Sequence, residues 1–441
     1  MYLAIAHAIR DDIASGKLSP GQRLPTQRAL AKALSVTVGT IGRAYAFAAR
    51  QGLVSLETGR GTFVKSFRDR THLNEGPNDI IDLGLNLPSP SNYADRMTQT
   101  LAEISCSKES GMLFGCGPIN SQLRYRQAAV SWFQDRTNCT TENVVICSGT
   151  QNALISALGT IAKPGDRILV DELTFPGIIE SAKLLHLKLV AVPMDKHGII
   201  PSELERLGKH AKALYCVPTN QNPTTITLSE SRRKSIARLA AKQGWYVIED
   251  DVYSKLMSNT PAPIASWLPK QTFLISSVAK TLCVGLRLAM VKIPDQLIQA
   301  MSKTMRATQF FPAPLLCEVA ARWIEGDLAS TLIAEQQENS KLRAAMVMDI
   351  LDSKLIRGKP NCNHIWLRLP DAWTTSTFSA AARESGVHLL SSESFYVGPK
   401  DAPPFVRIAF GAARNDRELK IGLTKLAALL TRETYGLSTQ Y

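Results

Sequence analysis

The chain has 441 residues, which is too long for a single hydrophobic core and indicates two or three domains. Its composition, with 45% hydrophobic and 20% charged residues, is that of a globular protein, and no apolar run approaches the roughly 20 residues that span a bilayer, so a membrane-spanning protein is excluded. Eight cysteines without paired spacing, and no histidine cluster near them, favour reduced thiols in a cytoplasm over a disulfide framework or a metal site, so we expect no metal.

Positive charge is concentrated at the amino end of the chain. The whole sequence has 51 Lys or Arg against 38 Asp or Glu, and residues 1–70 contain eleven of these basic residues against four acidic ones. This concentration predicts that the amino end binds a polyanion. A solvated basic face without a partner is the alternative.

The first 64 residues predict three short helices followed by a hairpin. Ile5, Ile9 and Ile13 recur at helical spacing, and Thr26 and Thr37 can each cap a following helix. The predicted inward positions of the second helix, residues 27–34, and of the third are Leu30, Ala33, Leu34, Ile41, Ala44, Tyr45 and Ala48. Two short helices joined by a tight turn are typical of a helix-turn-helix, and the alternation around residues 59–61 predicts the hairpin.

Five motifs of this region resemble the winged helix-turn-helix head of the GntR regulators. They are Gly16-Lys-Leu18, Pro20-Gly-Gln-Arg-Leu-Pro25, Arg28-Ala-Leu-Ala31, Val36-Thr-Val-Gly-Thr-Ile41 and Gly59-Arg-Gly-Thr-Phe63. The resemblance implies a DNA-binding domain at residues 1–66, and the polar, unpatterned composition of the residues that follow predicts a linker at 67–79. The resemblance also implies that double-stranded operator DNA is contacted by Arg28, Thr37, Thr40 and Arg43, with Arg60 and Gly61 in the wing. Arginines reach phosphates or guanine edges, and small hydroxyls allow close approach.

From Ile80 onward, predicted strands alternate with helical segments of about 12–20 residues, which indicates an α/β fold with a mostly parallel central sheet. The predicted strands are Val144–Cys147, Arg167–Val170, Lys188–Pro193, Ala213–Val217, Trp245–Glu249, Thr272–Ser276 and Leu286–Ile293. Ligands bind beyond the carboxyl ends of the strands in such sheets. The residues that follow each strand are therefore the candidates for a site.

Several strands are followed by residues that suit one cofactor. Gly149 and Thr150 can hold a phosphate at a helix start, Phe175 can stack on a ring, and Asp250 can pair with a protonated ring nitrogen. Lys280 follows the sixth strand, and a buried lysine there can form a Schiff base with an aldehyde. Each residue also has an ordinary structural role open to it: a core phenylalanine, a helix cap, a surface lysine. Together they predict a pyridoxal phosphate site.

Residues 80–441 resemble the fold type I aminotransferases, and the order of head and aminotransferase domain resembles the MocR subfamily of GntR regulators. The resemblance implies a pyridoxal phosphate-dependent aminotransferase type of sheet with an additional small α+β domain. It assigns Lys280 to the cofactor aldehyde, Asp250 to the pyridine nitrogen, Tyr253 and Asn222 to the ring hydroxyl, Gly149, Thr150, Ser277 and Arg287 to the phosphate, Phe175 to the ring face and Arg407 to a substrate carboxylate. An arginine between Val406 and Ile408 on a strand needs an anionic partner, which agrees with that assignment.

Three positions depart from the family pattern. Thr225 replaces a glycine after Asn222-Pro-Thr, Ala279 replaces a serine before Lys280, and Phe114 replaces a tyrosine before Gly115. These changes weaken the rim of the phosphate site. They leave Lys280, Asp250 and Arg407 in place.

The expected function is that of a cytoplasmic, nucleoid-associated transcription regulator with a pyridoxal phosphate-binding sensor domain. Its effector would be an amine, an amino acid or the cofactor, and the resemblance implies a homodimer. An active aminotransferase with an accessory DNA-binding domain is the alternative, and a sensor without cofactor is a third hypothesis. The basic amino-terminal domain favours the regulator, since an enzyme has no need of it.

Overall fold

A computed structural model describes residues 1–14, 17–19, 22–50, 53–57, 61–64, 80–91, 93–107, 111, 113, 122–358 and 362–431. The chain divides into two compact units, residues 1–79 and residues 80–441, and each is described by itself. Arg60, the predicted linker 67–79 and Phe114 lie outside the described residues.

The first unit is a three-helix domain with a two-stranded antiparallel hairpin. Its elements are α1 (Tyr2–Ala14), α2 (Gln27–Ala33), α3 (Val38–Arg50), β1 (Val54–Glu57) and β2 (Gly61–Val64). Residues 22–24 extend the hairpin, because the Leu24 amide donates to the carbonyl of Thr62. Its core includes four residues of α3 predicted to face inward, Ile41, Ala44, Tyr45 and Ala48, all nearly inaccessible to solvent.

Part of the predicted core of this unit is wrong. In α2 the buried residue is Ala31, whereas Leu30 is only partly buried and Ala33 and Leu34 are exposed. The helix ends at Ala33, and Ser35 takes a left-handed backbone with φ of 52°. A helix of two turns presents a narrow inward face, so the chain has already turned away from the core at Leu34.

The second unit contains eleven α-helices among its described residues and two β-sheets larger than a hairpin. The helices are α4 (Tyr93–Ser105), α5 (Leu123–Phe133), α6 (Thr150–Ile161), α7 (Pro176–Leu184), α8 (Pro201–Leu207), α9 (Glu230–Gln243), α10 (Ile298–Gln309), α11 (Pro314–Glu325), α12 (Leu328–Ile350), α13 (Thr375–Glu384) and α14 (Asp416–Leu430). The strands are β3 (Ile81–Asp82), β4 (Val144–Cys147), β5 (Arg167–Asp171), β6 (Lys188–Val192), β7 (Met194–Asp195), β8 (Gly198–Ile199), β9 (Ala211–Cys216), β10 (Tyr246–Asp250), β11 (Thr272–Ser277), β12 (Ala289–Lys292), β13 (Ile356–Arg357), β14 (Ile365–Arg368), β15 (Val387–His388), β16 (Leu390–Ser391) and β17 (Phe405–Ile408).

A seven-stranded sheet forms the centre of this unit, in the order β4-β12-β11-β10-β9-β5-β6. Only β12 runs in the direction opposite to the other six strands, so the predicted mostly parallel sheet is confirmed. The central strands β10 and β11 are buried along their lengths, apart from partly buried Tyr246, as expected of strands covered on both faces. Their carboxyl ends meet at one edge of the sheet.

The predicted strand Leu286–Ile293 is shorter than expected. Val284–Leu286 forms a single turn of 3-10 helix, and Arg287 has a left-handed φ of 49°. The strand β12 therefore begins only at Ala289. This turn places Arg287 beside the carboxyl edge of the sheet.

A smaller antiparallel sheet, in the order β13-β14-β17-β16, packs with α12, α13 and α14 into a separate hydrophobic cluster. The strand β3 pairs with β15 beside this cluster. The small α+β domain expected from the resemblance is thus present. Its strand β17 carries Arg407.

Neither a membrane span nor a metal site is found within the described part of the chain. No helix there is long and apolar enough to cross a bilayer. Among the same residues, no group of three or more His, Cys, Asp or Glu is placed to hold a metal ion.

Candidate cofactor-binding site

All ten residues that the sequence predicts for the cofactor and substrate line one cavity of about 360 Å³ in the second unit. These residues are Gly149, Thr150, Phe175, Asn222, Asp250, Tyr253, Ser277, Lys280, Arg287 and Arg407. They come from the carboxyl ends of β4, β5, β9, β10 and β11, from the turn before β12, and from β17. The edge of a parallel sheet thus brings together side chains that are far apart in sequence.

Lys280 lies in the short loop that leaves β11. Its Nζ donates a hydrogen bond to the main-chain carbonyl of Asn86. Burial and the nearby charge of Arg407 together lower the pKa of Lys280 to about 8, although the charge of Asp250 opposes the shift. A substantial fraction of this amine is therefore neutral, and nucleophilic, close to physiological pH.

Asp250 ends β10 and is 3% exposed. Its Oδ2 accepts a hydrogen bond of 2.8 Å from the hydroxyl of Tyr215, while its Oδ1 has no partner among the described residues. Burial raises the pKa of Asp250 to about 7, against the lowering effect of the Tyr215 hydrogen bond. A buried carboxylate oxygen without a partner suits a protonated ring nitrogen.

One end of the cavity is shaped for an anion. Gly149 has a left-handed φ of 86° and is the N-cap of α6, so the first backbone N–H groups of that helix open into the cavity. A Cβ on Gly149 would lie 3.6 Å from a guanidinium nitrogen of Arg287. The hydroxyl of Ser277 donates to the carbonyl of Leu288 at 3.0 Å and accepts from the Ala279 amide, so its proton is directed within the protein.

The other side of the cavity contains Arg407, which is 3% exposed. Its Nη1 donates to Oδ1 of Asn222 at 2.9 Å, its Nη2 donates to the carbonyl of Gly84, and its Nε has no partner among the described residues. The guanidinium lies 5.0 Å from the ring centre of Phe395. Burial lowers the pKa of Arg407 to about 10. A buried cation whose hydrogen bonds go to neutral acceptors can still pair with a ligand carboxylate.

Three residues of this region were missed by the sequence argument. Tyr215 lies in the strand β9, Asn86 follows β3, and His364 immediately precedes β14. They contact Asp250, Tyr253 and each other through side-chain hydrogen bonds. The sequence gives only a weak signal for these three residues, because each is a single polar residue within or beside an apolar stretch.

In the first unit, the predicted DNA contacts that are described lie at the surface. Arg28, Thr37 and Arg43 are exposed and Thr40 is partly buried. The Thr37 hydroxyl accepts from the Thr40 amide at 3.2 Å and caps α3. Gly61 has a φ of 127° where β2 begins. The side chains of Arg28 and Arg43 are exposed, so their charges are available to an external polyanion.

Two family models match the chain. Residues 1–64 match the bacterial regulatory proteins of the gntR family, and residues 78–426 match aminotransferase class I and II. The fold and the two matches define a protein with a DNA-binding head and an aminotransferase-type domain.

Two relatives are transcriptional regulators by name. The HTH-type transcriptional regulator YdeF of Bacillus subtilis is 32% identical over 98% of this chain and 94% of its own. The vitamin B6 salvage pathway transcriptional repressor PtsJ of Salmonella typhimurium is 29% identical over 65% of this chain and 66% of its own. The chain belongs to the aminotransferase class I and II family and, within it, to the HTH-type transcriptional regulators with a GntR head, the MocR subfamily.

Solved structures agree on the fold of the second unit. The kynurenine aminotransferase of Pyrococcus horikoshii, crystallised with PMP, superposes with a TM-score of 0.73 at 23% identity, covering 87% of this chain and 98% of that one. The aminotransferase class I and II family, to which this domain belongs, implies pyridoxal phosphate as the cofactor. The free Oδ1 of Asp250 and the anion-binding turn at Gly149 fit its ring nitrogen and its phosphate.

Proposed function

We propose that this protein is a DNA-binding transcription regulator whose aminotransferase-type domain senses an amine, an amino acid or pyridoxal phosphate. In this proposal residues 1–66 bind the operator, 67–79 link the parts, and 80–441 form the sensor. The observation that carries the proposal is that one chain combines exposed arginines on a helix-turn-helix with a partly buried lysine and a buried carboxylate that line one cavity. An enzyme has no need of the first feature.

The predicted cofactor residues would bind different parts of pyridoxal phosphate. Asp250 would hold a proton on the pyridine nitrogen through its free Oδ1, and Gly149, Thr150 and Arg287 would bind the phosphate. Lys280 would offer its neutral amine to the aldehyde. When bound, pyridoxal phosphate supplies an aldehyde that reacts with amines and a ring that withdraws electrons.

Arg407 would select effectors that carry a carboxylate. Its guanidinium holds the carbonyl of Gly84, a neutral acceptor that a ligand carboxylate can replace with a stronger, charge-assisted bond. An amino acid would therefore meet Arg407 with its carboxylate and compete with Lys280 through its amine. A simple amine would make only the second contact.

Regulation requires that ligand and DNA each bind one state of the protein more tightly than another. We propose a homodimer in the cytoplasm, because two heads on one operator convert a change within each sensor into a change of spacing between DNA half-sites. Leu85, which is 55% exposed at the cavity, is a residue that a second subunit can cover. Analytical ultracentrifugation of the full chain checks the dimer: a purely monomeric species at micromolar concentration contradicts it.

The experiment that tests the function measures DNA binding and the cofactor together. Duplexes selected on the protein from a random pool serve as the operator, and their affinity is measured while pyridoxal phosphate and then amino acids are added. We expect operator affinity to change with the visible absorbance of the bound cofactor, and Lys280→Ala to abolish both responses while operator binding itself remains.

The matched control is Lys292→Met. Lys292 is a buried lysine, 3% exposed in β12, and it does not line the cavity. We expect this variant to keep the absorbance and the response. An unchanged cofactor spectrum in the Lys280→Ala protein contradicts the assignment of the site. An operator affinity that does not change with any added ligand contradicts the proposed sensor function.

A second candidate function is an active aminotransferase, favoured by the pKa of about 8 at Lys280, which suits a proton-transferring base. It predicts keto acid release from amino acids with catalytic turnover. A single stoichiometric reaction without turnover favours the sensor.

A further inference from the structure

We propose that Asn86 is a positioning residue of the cofactor site: held by His364, its side-chain amide turns the hydroxyl proton of Tyr253 toward the cofactor. The inference deepens the proposed function and depends on it, because Tyr253 must face the ring oxygen of pyridoxal phosphate. It rests on three hydrogen bonds whose directions determine one another.

The first hydrogen bond fixes the proton on His364. Nε2 of this fully buried histidine faces the main-chain oxygen of Gln221 at 3.4 Å, and a carbonyl oxygen only accepts. Nε2 must therefore carry the proton. Burial lowers the pKa of His364 to about 3, so the ring is neutral and its Nδ1 is an acceptor.

The second and third hydrogen bonds fix the amide of Asn86. Its Nδ2 lies 3.1 Å from Nδ1 of His364 and 2.9 Å from the hydroxyl oxygen of Tyr253. Because Nδ1 is an acceptor, the amide nitrogen must face the ring, and its second proton goes to the tyrosine oxygen. Burial raises the pKa of Tyr253, so the tyrosine keeps its own proton. That proton is then free to point into the cavity.

Asn222 shows the same arrangement on the neighbouring donor. Arg407 donates to Oδ1 of Asn222 at 2.9 Å, which leaves the amide protons of Asn222 for the cavity. Tyr253 and Asn222 are the two groups expected to donate to the ring oxygen, and each accepts a hydrogen bond from a neighbouring side chain of the protein. The main-chain oxygen of Asn86 also accepts from Lys280, so one residue contacts both the lysine and the tyrosine.

The test follows from the charge on the ring oxygen. A donor on an anionic oxygen lowers its basicity, so losing the directed Tyr253 proton makes that oxygen hold a proton more strongly. In Asn86→Ala we expect the pH midpoint of the bound cofactor's visible absorbance to rise by about one unit, and the Kd for pyridoxal phosphate to rise about tenfold.

A double mutant separates positioning from general damage. If Asn86 acts through Tyr253, the protein with both Asn86→Ala and Tyr253→Phe has the same midpoint as Tyr253→Phe alone. Additive shifts overturn the proposal. Ser89→Ala is the matched control in the same segment, because Ser89 is buried, its hydroxyl has no partner in the described chain, and it does not line the cavity. We expect the pH midpoint of the cofactor absorbance in Ser89→Ala to be unchanged.

Failure of the proposal differs from failure of the proposed function. A shift in Tyr253→Phe without one in Asn86→Ala overturns the role of Asn86 alone, whereas no shift in either overturns the placement of the cofactor at Tyr253. Should Asn86→Ala not fold, Asn86→Asp carries the same test. Its carboxylate accepts the Tyr253 proton, so its midpoint must rise at least as far as that of Tyr253→Phe, and a smaller shift refutes the positioning role.

Discussion

Replacing Lys280 by methionine is expected to stabilise the cofactor-free protein at pH 7. Burial lowers the pKa of this lysine from 10.5 to about 8, so the folded state holds its ammonium less favourably than the unfolded chain does. With about 1.4 kcal/mol for each pKa unit, the lysine lowers the free energy of unfolding by about 3 kcal/mol at pH 7. Methionine has a similar length and no charge to bury.

The sign of the pH dependence follows from proton binding. Between pH 8 and 10.5 the unfolded chain binds more protons at this position than the folded protein, so the wild-type stability rises with pH relative to the variant. The increase in the free energy of unfolding that Lys280→Met brings is thus full below pH 8 and falls below about 1 kcal/mol at pH 10. Any gain from the apolar methionine itself is independent of pH.

The assay is differential scanning calorimetry of the cofactor-free full chain at pH 7 and pH 10. A gain of about 3 kcal/mol corresponds to a rise in Tm of about 4 °C for a cooperative unit the size of residues 80–441. Lys292→Met is the matched comparison, because burial also lowers the pKa of Lys292 and its Tm shift should have the same sign. We expect this variant to bind the cofactor as before, since Lys292 does not line the cavity. A Lys280→Met protein with a lower Tm at pH 7, or with the same gain at both pH values, refutes the reasoning.

Two further predictions concern the ligands. Arg43→Ala should weaken operator binding and lower the slope of log K against log salt by about 1, because one phosphate contact is lost, and pyridoxal phosphate should bind as before; equal affinity and slope in filter binding contradict the placement of α3 on DNA. Arg407→Gln should weaken amino acids about 10- to 150-fold as effectors, because a charged hydrogen bond is lost, and leave a simple amine unaffected; parallel losses for both ligands in spectral titrations show that Arg407 does not read the carboxylate.

The elements of the central sheet could be predicted because buried parallel strands leave continuous apolar runs. The strand β4 has the predicted bounds, and β11 differs from the prediction by one residue. The prediction failed where backbone conformation rather than hydrophobicity decides the boundary. Gly285 and Arg287 belong to a turn whose left-handed residue is an arginine, and no apolar pattern signals that turn.

The residues at the strand ends could be predicted because the carboxyl ends of parallel strands lie at one edge of the sheet. No such arrangement brings Asn86 and His364 together: they are separated by 278 residues and meet only when the small domain packs beside the sheet. Neither lies at the carboxyl end of a strand of the large sheet. Only the folded structure shows that their hydrogen bonds converge on Tyr253.

Burial shifts the pKa values of Asp250 and Lys280 in opposite directions. The pKa of Asp250 rises to about 7 and that of Lys280 falls to about 8, so near neutral pH each is close to losing its charge although they attract one another. The cavity alone therefore stabilises neither group fully. A ligand that donates to Asp250 and reacts with the amine of Lys280 removes both penalties, and its binding free energy adds to the stability of the second unit. A site built in this way is suited to a sensor, because its empty and loaded states differ in stability as well as in contacts.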